Sequence, residues 1–370
     1  MERYSPTMQT LFRIGRPFSP FYSAAMRLRA FLYSKGILKQ HRLPAPVISV
    51  GNLTIGGTGK TPLVQYISKK LTQLDLKPAI ISRGYGGKAN AQINIVSDGK
   101  NILLDAVWGG DEPRLLAENL PGVPVLTGNK RAVTGLHAIK ELGADVIVLD
   151  DGFQHLGVQR DIDMVLFHAD TLLSTNRVLP GGDLREPPAA LKRAHCFFIT
   201  GLTADNSKRA QTLQQFLHQR FPDKPIFTTH YQPATLLKKG LAQTVSTIPA
   251  AEAVGMVLYG FSGIANPNSF KQLLIQEKFN LVGFKPFRDH HSYSKRDLQE
   301  LGKLARQAGA QALIATEKDF VKLKSLFLPD IPILSLGIEP AMDQSFDEFL
   351  IRLLQGHCSI KTGHDIQQKP

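Results

Sequence analysis

Residues 46–64, "PVISVGNLTIGGTGKTPLV", constrain this chain more than any other stretch. The first six read as a buried strand and the last as the start of a helix, with Gly56, Gly57 and Gly59 between them, ahead of Lys60 and Thr61. Glycines let backbone N–H groups turn inward and approach a ligand closely. The helix that follows adds the positive end of its dipole. Such a turn cradles phosphate, with Lys60 reaching the β- and γ-phosphates and the Thr61 hydroxyl set for Mg²⁺. The expected cradle comprises Thr54, Ile55, Gly56, Gly57, Thr58, Gly59, Lys60 and Thr61. Thr54 stands where the strict G-x-x-x-x-G-K-[ST] pattern asks for glycine, while Pro62 falls in the first helical turn, where a missing N–H costs nothing.

A turn of this kind needs a sheet behind it, and the sequence supplies one. Apolar runs alternate with helical patterns through "KPAIISRG", "PVLTG", "RAVTGLHAIKEL", "DVIVLDDG", "DIDMVLFHA" and "HCFFITG". Alternation of this sort predicts an α/β fold of the phosphate-loop NTPase type, a largely parallel sheet with helices on both faces. "INIVSDGKNILLDAV" predicts a hairpin turning at Asp98-Gly99. The 370 residues exceed one compact core. They divide into a basic arm (1–43), a phosphate-loop core (44–230), a loose polar linker (231–253), a smaller second α/β domain (254–356) and a polar tail (357–370).

Two acids, Asp150 and Asp151, end the strand of "DVIVLDDG". Ligands of open α/β sheets bind beyond that edge, so one acid is expected to face the metal bound to the phosphates and the other to serve differently. Asp111 of "WGGDEPRLLAEN" has two readings, a helix cap or a base that accepts a proton from an attacking hydroxyl. "FRDHHSY" places Asp289, His290 and His291 before a helix that Ser294 would cap; one histidine reaching across a cleft to a carboxylate is the functional alternative to an ordinary surface pair.

"NLTIGGTGKTP", "SRGYGGK", "GDEP", "DDGFQH", "LREP", "FRDHHSY" and "TEKD", taken together and in this order, resemble the tetraacyldisaccharide 4′-kinase family, the lipid A 4′-kinases. The family's loop is also written without the first glycine, so Thr54 is no departure from it. The resemblance implies ATP- and Mg²⁺-dependent phosphorylation of the 4′-hydroxyl of a membrane-embedded acylated glucosamine disaccharide 1-phosphate. It implies Asp111 as base assisted by His290, with His291 a neighbouring alternative, and Lys60 and Thr61 as the phosphate-loop pair. Thr61, Asp150 and Asp151 are the implied metal side, and Arg131, Arg185 and Glu186 match positions linked to activity or lipid substrate. "TEKD" is either a contact to the nucleotide base through Thr316, Lys318 or Asp319, or a helix start.

The net charge of +13 suits phosphate, nucleic acid or an anionic membrane. The arm narrows this, because Arg13, Arg16, Arg27, Arg29, Lys35, Lys39 and Arg42 are interspersed with Phe, Leu, Met and Tyr without one acid from residue 11 to 42. Ser19 is expected to cap, and Pro20 to open, a helix that sets Phe21, Ala25, Leu28 and Leu32 on one face. Its apolar runs are far short of the roughly 20 residues a spanning helix needs, and arginines interrupt any signal-peptide core. The readings are an interfacial helix or one packed on the domain. With the resemblance, the expectation is a peripheral protein of the cytoplasmic face of the inner membrane, with a lipid substrate at an anionic surface, no nucleic acid and no obligate protein partner. Cys196 and Cys358 have neither a disulfide framework nor metal-ligand spacing, which points to a reducing compartment. A soluble sugar or cofactor kinase and a nucleotide-controlled membrane-binding switch are the rival functions.

Overall fold

Runs rich in Val, Ile and Phe that are buried on both faces form strands, and the amphipathic segments between them cover the sheet as helices. The computed structural model describes residues 6–171, 173, 177–240, 244–249, 252–253, 255–323 and 331–357; the polar tail from 358 onward, with Cys358, lies outside them. The strands are β1 (Val47–Asn52), β2 (Pro78–Ser82), β3 (Asn94–Ser97), β4 (Val125–Thr127), β5 (Val146–Asp150), β6 (Ile162–His168), β7 (Cys196–Thr200), β8 (Ile226–Lys239), β9 (Val245–Ile248), β10 (Val257–Ser262), β11 (Asn280–Pro286), β12 (Ala312–Thr316) and β13 (Ile333–Ala341). The helices are α1 (Pro6–Gly15), α2 (Ser19–Ser34), α3 (Lys60–Gln73), α4 (Ala106–Gly109), α5 (Asp111–Asn119), α6 (Arg131–Leu142), α7 (Ser207–Arg220), α8 (Pro267–Gln276), α9 (Lys295–Gln307), α10 (Glu317–Leu323) and α11 (Gln344–Gln355).

One sheet runs through the described residues in the order β11-β10-β12-β13-β8-β7-β6-β1-β5-β2-β4-β3, with β9 added to β8. It is parallel except where β3 meets β4 and where β8 meets β13 and β9. This is the largely parallel α/β architecture that the alternation predicts. Its first half carries one core of Ile48, Val64, Ile67, Val148 and Phe198 and another of Leu43, Ile81, Leu126 and Ile147; the second half has its own, around Phe261, Leu301, Leu313 and Phe320.

Four local expectations change. Residues 231–253, read as a loose linker, hold most of β8 and all of β9: their polar side chains lie on a strand whose backbone groups pair with β13 and β9. The hairpin reduces to β3 and a single bridge between Ser97 and Ile102, because Asp105 caps Trp108 N–H at 3.0 Å and turns the chain into α4. Ser19 does not cap α2. Its hydroxyl donates to Val178 carbonyl at 2.8 Å and accepts the Gly181 N–H at 2.9 Å, tying the arm to the core. The closing helix α11, assigned to the second domain from the sequence, buries Phe346, Leu350 and Leu354 in the first core.

Phe346 meets Phe198 edge-on at 5.0 Å and Phe227 at 5.2 Å between ring centroids, while Asp347 accepts from Tyr66 at 2.7 Å. Truncating a buried phenylalanine costs about 3–5 kcal/mol through lost burial and the cavity left behind. Phe346→Ala should therefore lower stability by about that amount in denaturant titration. A loss under about 1 kcal/mol would show that α11 is not part of this core.

Candidate active site

β1 and β5 are adjacent, with Val50 in register with Asp150, so the glycine turn leaving β1 and the acids ending β5 emerge together at the carboxyl edge of the sheet. Residues 55–62 line a cleft of about 1950 Å³ there. Gly59 precedes α3 at φ 76°, a backbone state that side chains disfavour. A Cβ at that position would also collide with the Tyr231 hydroxyl, which donates to Gly59 carbonyl at 3.4 Å. Thr54 is fully buried, pairs with Leu184 in an isolated bridge and stands behind the residues that line the cleft. Its φ is not left-handed, so nothing at this position requires glycine.

The two acids have different surroundings. Asp151 has a left-handed φ of 52°, lies 3.4 Å from Lys60 Nζ and accepts from Arg185 at 2.8 Å. Burial pushes its carboxyl up, but Lys60 and Arg185 outweigh this and hold it at about 2. Asp150 takes a hydrogen bond from Ser82 Oγ at 3.0 Å through Oδ2, while its Oδ1 is buried without a partner. Burial, followed by the charges of Glu112 and Asp151, raises its carboxyl. An orphaned carboxylate oxygen in a cleft that Thr61 also lines is a hard oxygen donor set that fits Mg²⁺, an ion that takes its other ligands from phosphate and water. Among the described residues no three His, Cys, Asp or Glu side chains gather as an all-protein metal cage.

The other half of the molecule supplies the facing group. Asp111 opens α5 behind Gly110, whose φ is 93°, and its Oδ1 accepts the Glu112 N–H at 2.9 Å. His290, held at φ 56° with its N–H on Gly263 carbonyl at 3.1 Å, brings Nδ1 to 3.0 Å from Asp111 Oδ2. Backbone in this region is strained for histidine, and such strain concentrates at functional sites. The adjacent His291 faces Asp297 at 3.4 Å and stacks on Phe287 instead. Lys318 Nζ lies 3.4 Å from His290 Nε2 and 2.8 Å from Glu112, and Lys322 Nζ lies 3.6 Å from Asp111. With a carboxylate at one ring nitrogen and an ammonium at the other, the neutral ring carries its proton on Nδ1. Burial works to raise the Asp111 carboxyl; the His290 hydrogen bond, Lys318 and Lys322 together bring it down to about 2. The hydrogen bond to Asp111 raises His290 above the usual imidazole range, against its burial and Lys318.

"TEKD" divides between structure and site. Thr316 Oγ1 donates to Asp319 at 2.7 Å and accepts its N–H at 3.2 Å, as a helix start does, and Asp319 also accepts the Gly263 N–H at 3.0 Å beneath the histidine loop. Lys318 alone of the four points to the dyad. Arg131 is buried and donates to Asp151 carbonyl at 2.9 Å, and Arg185 lines the cleft. Glu186 is 3% exposed, paired with Arg193 at 3.0 Å and not among the residues lining the cleft; a buried carboxylate needs a cation, and Arg193 supplies it. Sequence reasoning missed Tyr85, Gln154, His155 and Lys322, all within the site, and Tyr231, which fell in the supposed linker. For the first three the signal was present inside "SRGYGGK" and "DDGFQH"; Lys322 belongs to no motif.

Three comparisons bear on this geometry. The family model described as LpxK, tetraacyldisaccharide-1-P 4′-kinase, matches residues 11–355. The chain is 45% identical over 342 residues to a tetraacyldisaccharide 4′-kinase of Desulfotalea psychrophila, covering 92% of this chain and 96% of that protein. It is 39% identical over 346 residues to one from Syntrophus aciditrophicus, covering 91% and 92%. The crystal structure of LpxK from Aquifex aeolicus in complex with ATP superposes with a TM-score of 0.73 at 31% identity, over 91% of this chain and 97% of that one.

The position of Lys318 makes its effect on the histidine testable. Its positive charge at Nε2 opposes protonation of the ring, and the other groups facing His290 are Asp111, Asp289 and Tyr85. Lys318→Met should shift the His290 titration to higher pH in an NMR pH series. An unchanged or lower midpoint would show that the lysine does not act on the ring.

Proposed function

The chain belongs to the tetraacyldisaccharide-1-P 4′-kinase family, and on that premise we propose which residues carry the reaction. It is an ATP-dependent 4′-kinase of lipid A biosynthesis. The carrying observation is that one cleft joins the Lys60 loop and Asp150-Asp151 to Asp111, and that the other half contributes His290 to pair with it.

In the proposed mechanism the amides of residues 55–59 and Lys60 hold the β- and γ-phosphates of ATP. Before nucleotide arrives, Lys60 is kept in place by Asp151, and Arg185 and Arg131 keep Asp151 ionised and oriented. Thr61 and Asp150 would hold Mg²⁺, which when bound offsets negative charge on the terminal phosphates. The 4′-hydroxyl oxygen of the acceptor attacks the γ-phosphorus, the bond to the β–γ bridging oxygen breaks, and ADP leaves. The hydroxyl proton passes to Asp111, and His290 stabilises the carboxyl group through Nδ1–H. A carboxylate held near 2 is a weak base. A loose phosphoryl-transfer transition state demands little proton removal in advance, so positioning and charge stabilisation carry most of the acceleration.

A membrane-borne acceptor fits the arm. No helix among the described residues is long and apolar enough to cross a membrane. Leu11, Ile14, Phe18, Phe21, Leu28 and Phe31 are nevertheless exposed on α1, α2 and the short turn between them, beside Arg13 and Arg27. An apolar helix face with flanking cations is suited to the interface of an anionic bilayer. Tyr22, Met26 and Arg29 of α2 line the cleft as well. The proposal therefore places the protein peripherally on the cytoplasmic face of the inner membrane, with α2 delivering the acylated disaccharide to Asp111.

Asp111→Ala and Lys60→Ala should each reduce kcat on detergent-dispersed lipid acceptor by about 10²–10⁴-fold, with thermal midpoints close to that of the parent. Near-parent turnover in Asp111→Ala would remove it from the reaction.

A further inference from the structure

A second apolar edge borders the cleft and takes no part in the chemistry above. Tyr85, 67% exposed, lines the cleft with its ring 5.3 Å from that of His290. The loop that carries it is bonded to α4: Lys88 N–H donates to Val107 carbonyl and Ala89 N–H to Trp108 carbonyl, both at 3.0 Å. Close packing continues at Gly87, where a Cβ would lie 2.5 Å from the Trp108 carbonyl. The outer surface of this joined unit presents Trp108, 52% exposed, together with Val107, Leu103 and Ile102. Five large apolar side chains in one neighbourhood are more than a scatter of single exposed residues. The exposed cations Arg83, Lys88 and Lys100 flank them. The nearby acids are occupied locally: Asp105 caps Trp108 N–H, and Asp98 accepts the N–H groups of Lys100 and Asn101.

We propose that this edge, centred on Trp108 with Tyr85, Val107, Leu103 and Ile102, is a second contact with an anionic bilayer, distinct from the arm. Two observations select a bilayer as the occupant. Tryptophan, tyrosine and aliphatic side chains rimmed by lysine and arginine match the headgroup region, where amphipathic rings settle and cations meet anionic lipid. The patch is also continuous with the cleft: α2 borders it where Tyr22 hydroxyl donates to Arg185 carbonyl and Arg29 to Gln154 carbonyl, while Tyr85 borders it beside His290. An acceptor anchored by acyl chains would then enter between two lipid-contacting edges, with its sugar toward Asp111. A single contact through the arm leaves the molecule free to rock about α2. A second contact fixes the cleft mouth against the surface, which raises the effective concentration of the acceptor hydroxyl. The inference rests on the proposed membrane-borne acceptor.

Trp108 is the sole tryptophan of the chain, so its fluorescence reports this edge alone. The full-length protein is mixed with phosphatidylglycerol-containing vesicles whose acyl chains carry bromine, and flotation is measured in parallel. Flotation with blue-shifted, bromine-quenched Trp108 emission is the expected result. In Leu103→Asp/Val107→Asp the quenching should be lost, and KM for acceptor in vesicles should rise several-fold while KM for ATP stays unchanged. Flotation with unquenched emission overturns this second contact and leaves the arm as the sole anchor. Absence of flotation overturns the membrane reading and this inference together. Concentration-dependent self-association that shields Trp108 without lipid would assign the edge to a second copy and overturn the proposal.

Discussion

Strand β8 pairs in parallel with β7 through residues 226–229 and in antiparallel with β13 through residues 230–239, so a single run of backbone hydrogen bonds joins the two halves of the sheet. The remaining geometry depends on that junction. It sets Tyr231 on Gly59, and it fixes the second half at a distance where the loop after β11 can bring His290 to Asp111. Helix α11 returns from the second half to pack Phe346 in the first core, closing the connection from the other side. A flexible tether would have left the distance between Asp111 and His290 to diffusion; a shared sheet holds it at hydrogen-bond length.

Charge is organised around the same junction. Asp151 is placed between Lys60 and Arg185, and Asp111 between His290 and Lys322, so each acid is kept ionised by cations that outweigh the cost of burial. Asp150 differs in having one buried oxygen with no partner, so the two neighbouring acids have different surroundings. The left-handed backbone at Asp151 and His290 shows that both sites constrain the chain locally. Arg131 donating to the Asp151 carbonyl and the His290 N–H donating to the Gly263 carbonyl hold these conformations in place.

Much of the site was legible in the chain because its parts are short and local. A glycine turn before Lys60-Thr61 can be read within ten residues, and so can an apolar strand ending in Asp150-Asp151, because strand, turn and helix start are set by neighbouring side chains. Asp111 and His290 were joined only through the family resemblance, with His291 left as the neighbouring alternative, since 179 residues separate them and no local pattern encodes their contact. Glu186 illustrates the reverse. It sits in a motif, yet Arg193 turns its carboxylate into the interior. The linker was misread for a related reason: the polar composition of residues 231–253 conceals strands whose stability comes from pairing with distant β13.

The sequence by itself determined the fold class, the phosphate loop, the acids at the strand edge and the amphipathic basic arm, because periodicity, glycine placement and charge clustering act over one or two elements. Tertiary structure decided which histidine meets Asp111, which acid keeps a free oxygen, that Lys318 stands behind the dyad, and that the loop carrying Tyr85 is bonded to the helix carrying Trp108. These are contacts between elements far apart along the chain. The histidine and lysine contacts exist only after β8 has joined the two halves, since side-chain distance across a cleft is set by packing and sheet register rather than by spacing in sequence.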